Sequence, residues 1–199
     1  MRDTSRDDPG IEERARAFLE QLRWPDGVRC PRCDGSTGIS RLATRGQFDC
    51  EGCGYQFSVR VGTVLHGSRL PLSTWVAAVY LMTESEAGIS ANQLGQTLGV
   101  SYKTAWFLSH RIRIAMRDEA GQLLAAEPHG DGIPQQRMAR LRQAVVDTHR
   151  RPDAKHLPAY LDEAAFRITH RNDDHRFHDT LVRLLQADAM PYADLIAEP

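Results

Sequence analysis

Four cysteines, the only ones in the chain, form two pairs with the spacing of metal ligands. Each pair encloses two residues, and sixteen residues separate the pairs, whose members are Cys30, Cys33, Cys50 and Cys53. This spacing lets one tight turn direct two thiolates at the same ion, and four thiolates surround zinc as a tetrahedron. Two disulfides or a redox-active pair are the alternatives, but a redox pair normally lies beside a βαβ pattern, which is absent here. The spacing predicts one structural Zn2+ per chain.

The residues around the second cysteine pair predict the strands and turns that position it. Phe48 and the run Tyr55–Val59 contain the aromatic and β-branched residues that are typical of strands. We expect Gly35, Gly52 and Gly54 to provide the turns beside the cysteines, because glycine adopts left-handed conformations at little cost.

Charge and hydropathy limit the classes of protein to which this sequence can belong. The net charge of -1 does not by itself indicate a nucleic-acid-binding protein, but residues 99–117 contain four basic side chains and no acid. A charge run is most often a solvated helix face, so this pattern alone favours DNA binding only modestly. The sequence shows no apolar leader and no run of eighteen apolar residues, which predicts no signal peptide and no membrane span. Cysteines with the spacing of metal ligands are expected to stay reduced, and reduced cysteines favour a cytoplasmic protein.

Residues 68–118 predict three helices, of which the last two resemble a helix-turn-helix. Ser73 is expected to cap the first helix, Ser90 with Gln93 forms a capping box for the second, and Ser101 caps the third. Gly99 lies in the turn. A short helix, a glycine turn and a longer basic helix are typical of this DNA-binding motif. An ordinary three-helix bundle with a basic last helix is the alternative.

The third helix would enter the major groove of DNA. Lysine and arginine suit phosphate oxygens and guanine edges, and threonine can donate to phosphate. The candidate DNA-binding residues are Tyr102, Lys103, Thr104, Trp106, His110 and Arg111. Trp106 could equally belong to the core, because aromatic residues at helical spacing are more often packed inside.

The predicted fold class is mainly α with a small β zinc ribbon. Its parts are an N-terminal helix over 11–23, the zinc ribbon over 24–67, the helix-turn-helix domain over 68–118, a linker over 119–134 and a C-terminal helical segment over 135–199. His170, His175 and His178 lie near one another in the sequence, and we interpret them as a polar helix face rather than a second metal site.

Several of these runs resemble a bacterial insertion-sequence transposase family. The similarity covers about residues 20–117, through Trp24–Cys33, Tyr55–Thr63, Leu70–Trp75, Gly88–Ser90, Leu98–Phe107 and His110–Arg113. A looser similarity follows in Lys155–Leu157, Tyr160–Glu163, Phe166–Arg167, Arg171–Asn172 and Arg176–Phe177. The resemblance implies an N-terminal zinc ribbon, a helix-turn-helix and a DDE-type catalytic domain with an RNase H-like fold.

The interval between the two similar regions departs from that family. Only 37 residues lie between Arg117 and Lys155, whereas a domain of usual size needs on the order of 100. We therefore expect no complete RNase H-like core and no catalysis by this chain. Glu127 and Asp131 receive no catalytic role, and Asp162 and Glu163 are expected to be solvated on a helix.

The sequence thus predicts a transposase-derived zinc-ribbon and helix-turn-helix protein that binds double-stranded DNA resembling transposon ends, without catalysis. One alternative is a DDE-type transposase that is active only with a full-length partner. Another is a protein-interaction module or transcriptional regulator, because zinc ribbons also bind proteins. Besides double-stranded DNA, the partners that the sequence suggests are a second copy of this chain, in a homo-oligomer, or a full-length transposase.

Overall fold

The computed structural model describes residues 9–126, 134–149, 152–190, 193 and 195. It confirms the predicted fold class, which is mainly helical with a small β ribbon. The helices are α1 (Pro9–Arg23), α2 (Leu72–Glu84), α3 (Ala91–Leu98), α4 (Tyr102–Ile112), α5 (Glu119–Ala125), α6 (Pro134–Thr148), α7 (Leu157–Thr169) and α8 (Arg176–Gln186). The strands are β1 (Ile39–Leu42), β2 (Gln47–Cys50) and β3 (Tyr55–Phe57). Short 3-10 helices span Ala43–Arg45, Arg113–Met116 and Ala154–His156.

The chain divides into two compact units. The first runs up to Val76 and includes Leu181–Met190, whereas the second contains Ala77–Thr180. In the described part of the chain, no helix combines the length and the apolar character needed to cross a membrane.

The three strands form one antiparallel sheet in the order β1-β2-β3. Phe48 of β2 pairs with Phe57 of β3, and their stacked rings lie 5.6 Å apart. Trp24, which directly follows α1, packs edge-on against both rings at 5.5 and 5.9 Å. These rings belong to the buried core of the ribbon, which also contains Cys30 and Cys50. Strands were predicted around Phe48 and Tyr55, whereas β1 was not predicted.

Helix α2 is capped by a residue from α1. Its first residue is Leu72, and the Glu12 carboxylate accepts hydrogen bonds from the backbone N–H groups of Leu72 and Ser73, at 2.8 and 3.0 Å. The prediction that Ser73 caps this helix is therefore wrong. Glu12 satisfies the free amide groups and places a negative charge at the positive end of the helix dipole.

Helices α3 and α4 are joined by a short turn whose signals were predicted correctly. Ser90 and Gln93 form the capping box of α3, and the Ser101 side chain accepts from the Thr104 N–H. Gly99 ends α3 in the left-handed conformation, with φ of 62°. A Cβ atom on Gly95 would lie 3.1 Å from the Val100 carbonyl oxygen, so glycine there permits the close approach of the turn to α3.

Helix α5 lies within the segment that was predicted to be a linker. Residues 119–125 are helical, so the prediction of an irregular 119–134 segment is wrong for this part, and 127–133 lie outside the described residues. Ala120, Leu123 and Leu124 pack on a core that contains Leu141, Val145, Tyr160, Ala164 and Ala165. Burial against α6 and α7 stabilises a helix that is too short to form alone in water.

Glu163 of α7 lies at the centre of a buried ion cluster. Its side chain is 0% exposed, and its oxygens accept from Nε of Arg113 at 2.6 Å and from Nη1 of Arg167 at 2.7 Å. Burial opposes ionisation, but the two guanidinium groups outweigh that effect and hold the pKa of Glu163 below its ordinary value. The expectation that Glu163 is solvated is therefore wrong. Asp162 is half-buried and accepts from the Ala120 N–H at 3.0 Å, which corrects the same expectation for this residue.

Glu163→Gln should destabilise the second unit strongly. Removing the charge leaves Arg113 and Arg167 buried without their counter-ion, which costs roughly 3–5 kcal/mol. Asp179→Asn is the control, because Asp179 pairs with His178 at an exposed position and should change stability by at most about 1 kcal/mol. Chemical denaturation followed by circular dichroism measures both variants. Equal unfolding free energies for the two variants would contradict the assigned role of Glu163.

Candidate metal centre and nucleic-acid interface

The sulfur atoms of the four cysteines converge on one point. All four lie within 4.8 Å of one another, and the Cys30–Cys53 and Cys33–Cys50 sulfur distances are both 3.7 Å. Four sulfurs at about 2.3 Å from a tetrahedral zinc ion are separated by about 3.8 Å. The measured distances fit this edge length and far exceed the roughly 2 Å of a disulfide bond. The four cysteines therefore form a site that fits one structural zinc ion.

Both cysteine pairs lie on turns of the same design. The Cys30 carbonyl accepts from the Asp34 N–H at 2.8 Å, and the Cys50 carbonyl accepts from the Gly54 N–H at 2.7 Å. Asp34 and Gly54 each lie four residues after the first cysteine of their turn and adopt positive φ angles of 57° and 66°. In the first turn the left-handed residue is Asp34 rather than the expected Gly35, because aspartate is among the few other residues that tolerate this conformation.

One side of the site is sealed by the ribbon core. Cys30 and Cys50 are each 1% exposed and pack with Phe48 and Phe57, whereas Cys33 is exposed. Four thiolate ligands close the coordination shell of the metal, so the site has no position for a substrate. Its role is to hold the two turns and the sheet together, as in small domains whose metal supplies folding energy.

The exposed members of the predicted DNA-binding set lie in the first turn of α4. Tyr102 is 61% exposed, and Lys103 is also exposed. Thr104 is partly buried, and its hydroxyl lies 2.8 Å from that of Ser101. Trp106 is partly buried, with its ring 4.4 Å from that of His110. The turn contains no acid, and the positive end of the helix dipole and Lys103 together favour an anion there.

His110 and Arg111 do not share this exposure. Both are 3% exposed, which corrects the expectation that they face DNA from the surface of α4. His110 lies seven residues after Lys103 and so occupies the same helix face, but Tyr160 of α7 covers it, with Nε2 and the phenol oxygen 3.3 Å apart. Burial and nearby Arg113 lower the pKa of His110 to about 2, so this ring is neutral at physiological pH. The Arg111 guanidinium lies over the Phe107 ring at 5.2 Å.

Comparison with known proteins connects this site to transposable elements. Residues 10–56, which include all four cysteines, match the family model described as a transposase zinc-ribbon domain. An uncharacterized protein in transposable element ISH50 from Halobacterium salinarum is 34% identical over 123 residues, which are 61% of this chain and 39% of that relative. This chain thus spans well under half of the relative's length. No solved structure matches the chain. The two matches support a transposase-derived protein.

Cys50→Ser should remove the bound metal, because three thiolates and a hydroxyl make a much weaker zinc site than four thiolates. We expect zinc content to fall from about one per chain to near zero, with loss of the ribbon fold. Elemental analysis and the near-ultraviolet circular dichroism of the ribbon aromatics measure this. Asp49→Asn is the matched control, since Asp49 lies on the same strand and is not a ligand. Full zinc content in the serine variant would contradict the assignment.

Proposed function

We propose that this protein binds double-stranded DNA through the first turn of α4 and that its DNA resembles the ends of a transposable element. The observation that carries the proposal is the turn-linked pair α3–α4, in which Ser101 caps a helix whose first residues, Tyr102 and Lys103, are exposed. A short helix followed by a capped helix with polar and basic residues at its start is the arrangement by which helix-turn-helix proteins reach base edges.

The matches to a transposase zinc-ribbon domain and to an ISH50 protein support DNA as the partner. The burial of His110 and Arg111 restricts the proposed contact surface to Tyr102, Lys103, Thr104 and Trp106. In this proposal Lys103 contacts a phosphate, while Tyr102 and Thr104 lie against the groove.

Lys103→Ala should weaken binding to every DNA sequence and reduce the slope of log affinity against log salt by about one, the signature of one lost phosphate contact. The chain has only two lysines, so Lys155→Ala is a control with the same change of charge. Fluorescence anisotropy with labelled duplexes at several salt concentrations measures both variants. An unchanged salt slope for Lys103→Ala would place the contact surface elsewhere.

Chemical modification offers a second readout of the same proposal. Reductive methylation followed by mass spectrometry can compare Lys103 and Lys155 in one sample, because both are exposed in the free protein. Bound DNA should protect Lys103 and leave Lys155 reactive. Protection of Lys155 alone would contradict the assignment of α4.

We also propose that the chain does not cut or join DNA by itself. Within the described residues, strands occur only in the zinc ribbon, so no second sheet carries carboxylates. Glu163 is held by two guanidinium groups, and its oxygens are therefore not available as metal ligands. Glu127 and Asp131 lie outside the described residues. Two-metal catalysis needs several carboxylates fixed around two ions.

A strand-transfer assay with Mg2+ or Mn2+ should therefore give no cleavage on a duplex that the protein binds. Metal-free reactions serve as the control. Metal-dependent cleavage that disappears in Asp131→Asn or Glu127→Gln would restore the enzymatic interpretation.

A further inference from the structure

The second unit contains a cavity of about 840 Å³ that borders the start of α4. Its lining passes from exposed residues, among them Asn92, Gln93 and Tyr102, to buried ones, among them Arg113 and Tyr160. The exposed aromatic residue at the start of α4 thus belongs both to this cavity and to the proposed DNA-contact surface.

Three aromatic side chains line the cavity: Tyr102, Trp106 and Tyr160. Two of them are fixed by their neighbours. The Trp106 ring packs against the rings of His110 and His156, at 4.4 and 5.3 Å, and the Arg113 guanidinium lies 4.7 Å from the centre of the Tyr160 ring. Tyr102 is 61% exposed and can adjust to a ligand. Aromatic rings held in this way are stacking surfaces for planar groups, and they accept any nucleobase because every base has a π-face.

Arg113 forms part of the buried wall of the cavity. Its side chain is 2% exposed, Nε donates to Glu163, and Nη1 donates to the Ser109 hydroxyl at 3.1 Å. Among the described residues, its Nη2 has no hydrogen-bond partner although it is buried. Since this atom has almost no accessible surface, Arg113 forms part of the cavity wall rather than a contact for a ligand.

The charges around the cavity favour a neutral polar ligand over a free anion. Arg113 is already neutralised by Glu163, and the exposed carboxylate of Asp147 also borders the cavity. Burial lowers the pKa of His149 to about 4, so its ring adds no positive charge at neutral pH. The side-chain amides of Asn92 and Gln93 can donate and accept hydrogen bonds at the exposed end.

We infer that this cavity accepts one unpaired nucleobase of the DNA held by the first turn of α4, stacked on Tyr102 and Trp106. The inference rests on the proposed DNA-binding function. Enzymes and binding proteins that hold an unstacked base use the same combination of aromatic faces and a few polar groups at its edge.

The test compares three otherwise identical duplexes of mixed sequence: one fully paired, one with a single unpaired thymidine, and one with an abasic nucleotide in that place. The two bulged duplexes share their backbone and their flexibility, so the ratio of their affinities isolates the base. The thymidine bulge should bind at least about fivefold more tightly than the abasic bulge. Equal affinities for these two duplexes would overturn the inference while leaving DNA binding intact. Failure of all three duplexes to bind would instead refute the proposed function, and the inference with it.

Variants of Tyr102 and Lys103 test which side chain causes the preference for the unpaired base. Tyr102→Ala should bring the thymidine-to-abasic ratio close to one, whereas Tyr102→Phe, which keeps the ring, should retain it. Lys103→Ala should lower affinity for all three duplexes and leave the ratio unchanged. A ratio that Tyr102→Ala does not alter would contradict the inference.

A crosslinking measurement does not depend on any variant. With 5-iododeoxyuridine in place of the unpaired thymidine, irradiation should attach the DNA to Tyr102, Trp106 or Tyr160, as identified by mass spectrometry. Attachment only to residues that do not line the cavity would overturn the inference.

Discussion

The buried carboxylate of Glu163 is the interaction on which the second unit depends. Removing a charge from water is costly, and here two guanidinium groups within 2.7 Å compensate for that cost. Arg167 lies one turn further along α7, whereas Arg113 lies in the 3-10 helix after α4, so the cluster ties the end of α4 to α7. Because Arg113 is fixed in this way, it supports the Tyr160 ring, which lies 4.7 Å from its guanidinium and lines the cavity.

The contact between α7 and α4 also explains why the start of α4 is exposed while His110, further along the helix, is buried. Tyr160, three residues before Glu163, covers His110, while Tyr102 and Lys103 stay exposed. Lys103 and His110 lie on one face of α4, and both were predicted to reach DNA because this helix was expected to enter the major groove. The contact with Tyr160 of α7 decides otherwise for His110, because a neutral buried histidine cannot meet a phosphate.

Features encoded by neighbouring residues were predictable from the sequence. The cysteine spacing specifies the metal site, and the capping residues Ser90 and Ser101 specify where α3 and α4 begin. The features that were missed depend on partners distant in the chain. Glu12 caps α2 from about sixty residues away, and the burial of Glu163 depends on Arg113, fifty residues earlier. Helix α5 forms because it packs on α6 and α7, not because of its own composition.

Under the proposed function, the charge of the chain explains why a base-binding cavity would matter. A net charge of -1 and one exposed lysine at the start of α4 offer few phosphate contacts, so electrostatic binding to the DNA backbone should be weak and lost as salt rises. Stacking of a base on Tyr102 and Trp106 depends on contact between ring faces, which salt screens far less than it screens separated charges. The base contact would therefore keep its contribution to affinity at salt concentrations where the phosphate contact is lost. The preference for DNA with an unpaired nucleotide over fully paired DNA would thus be largest at high salt.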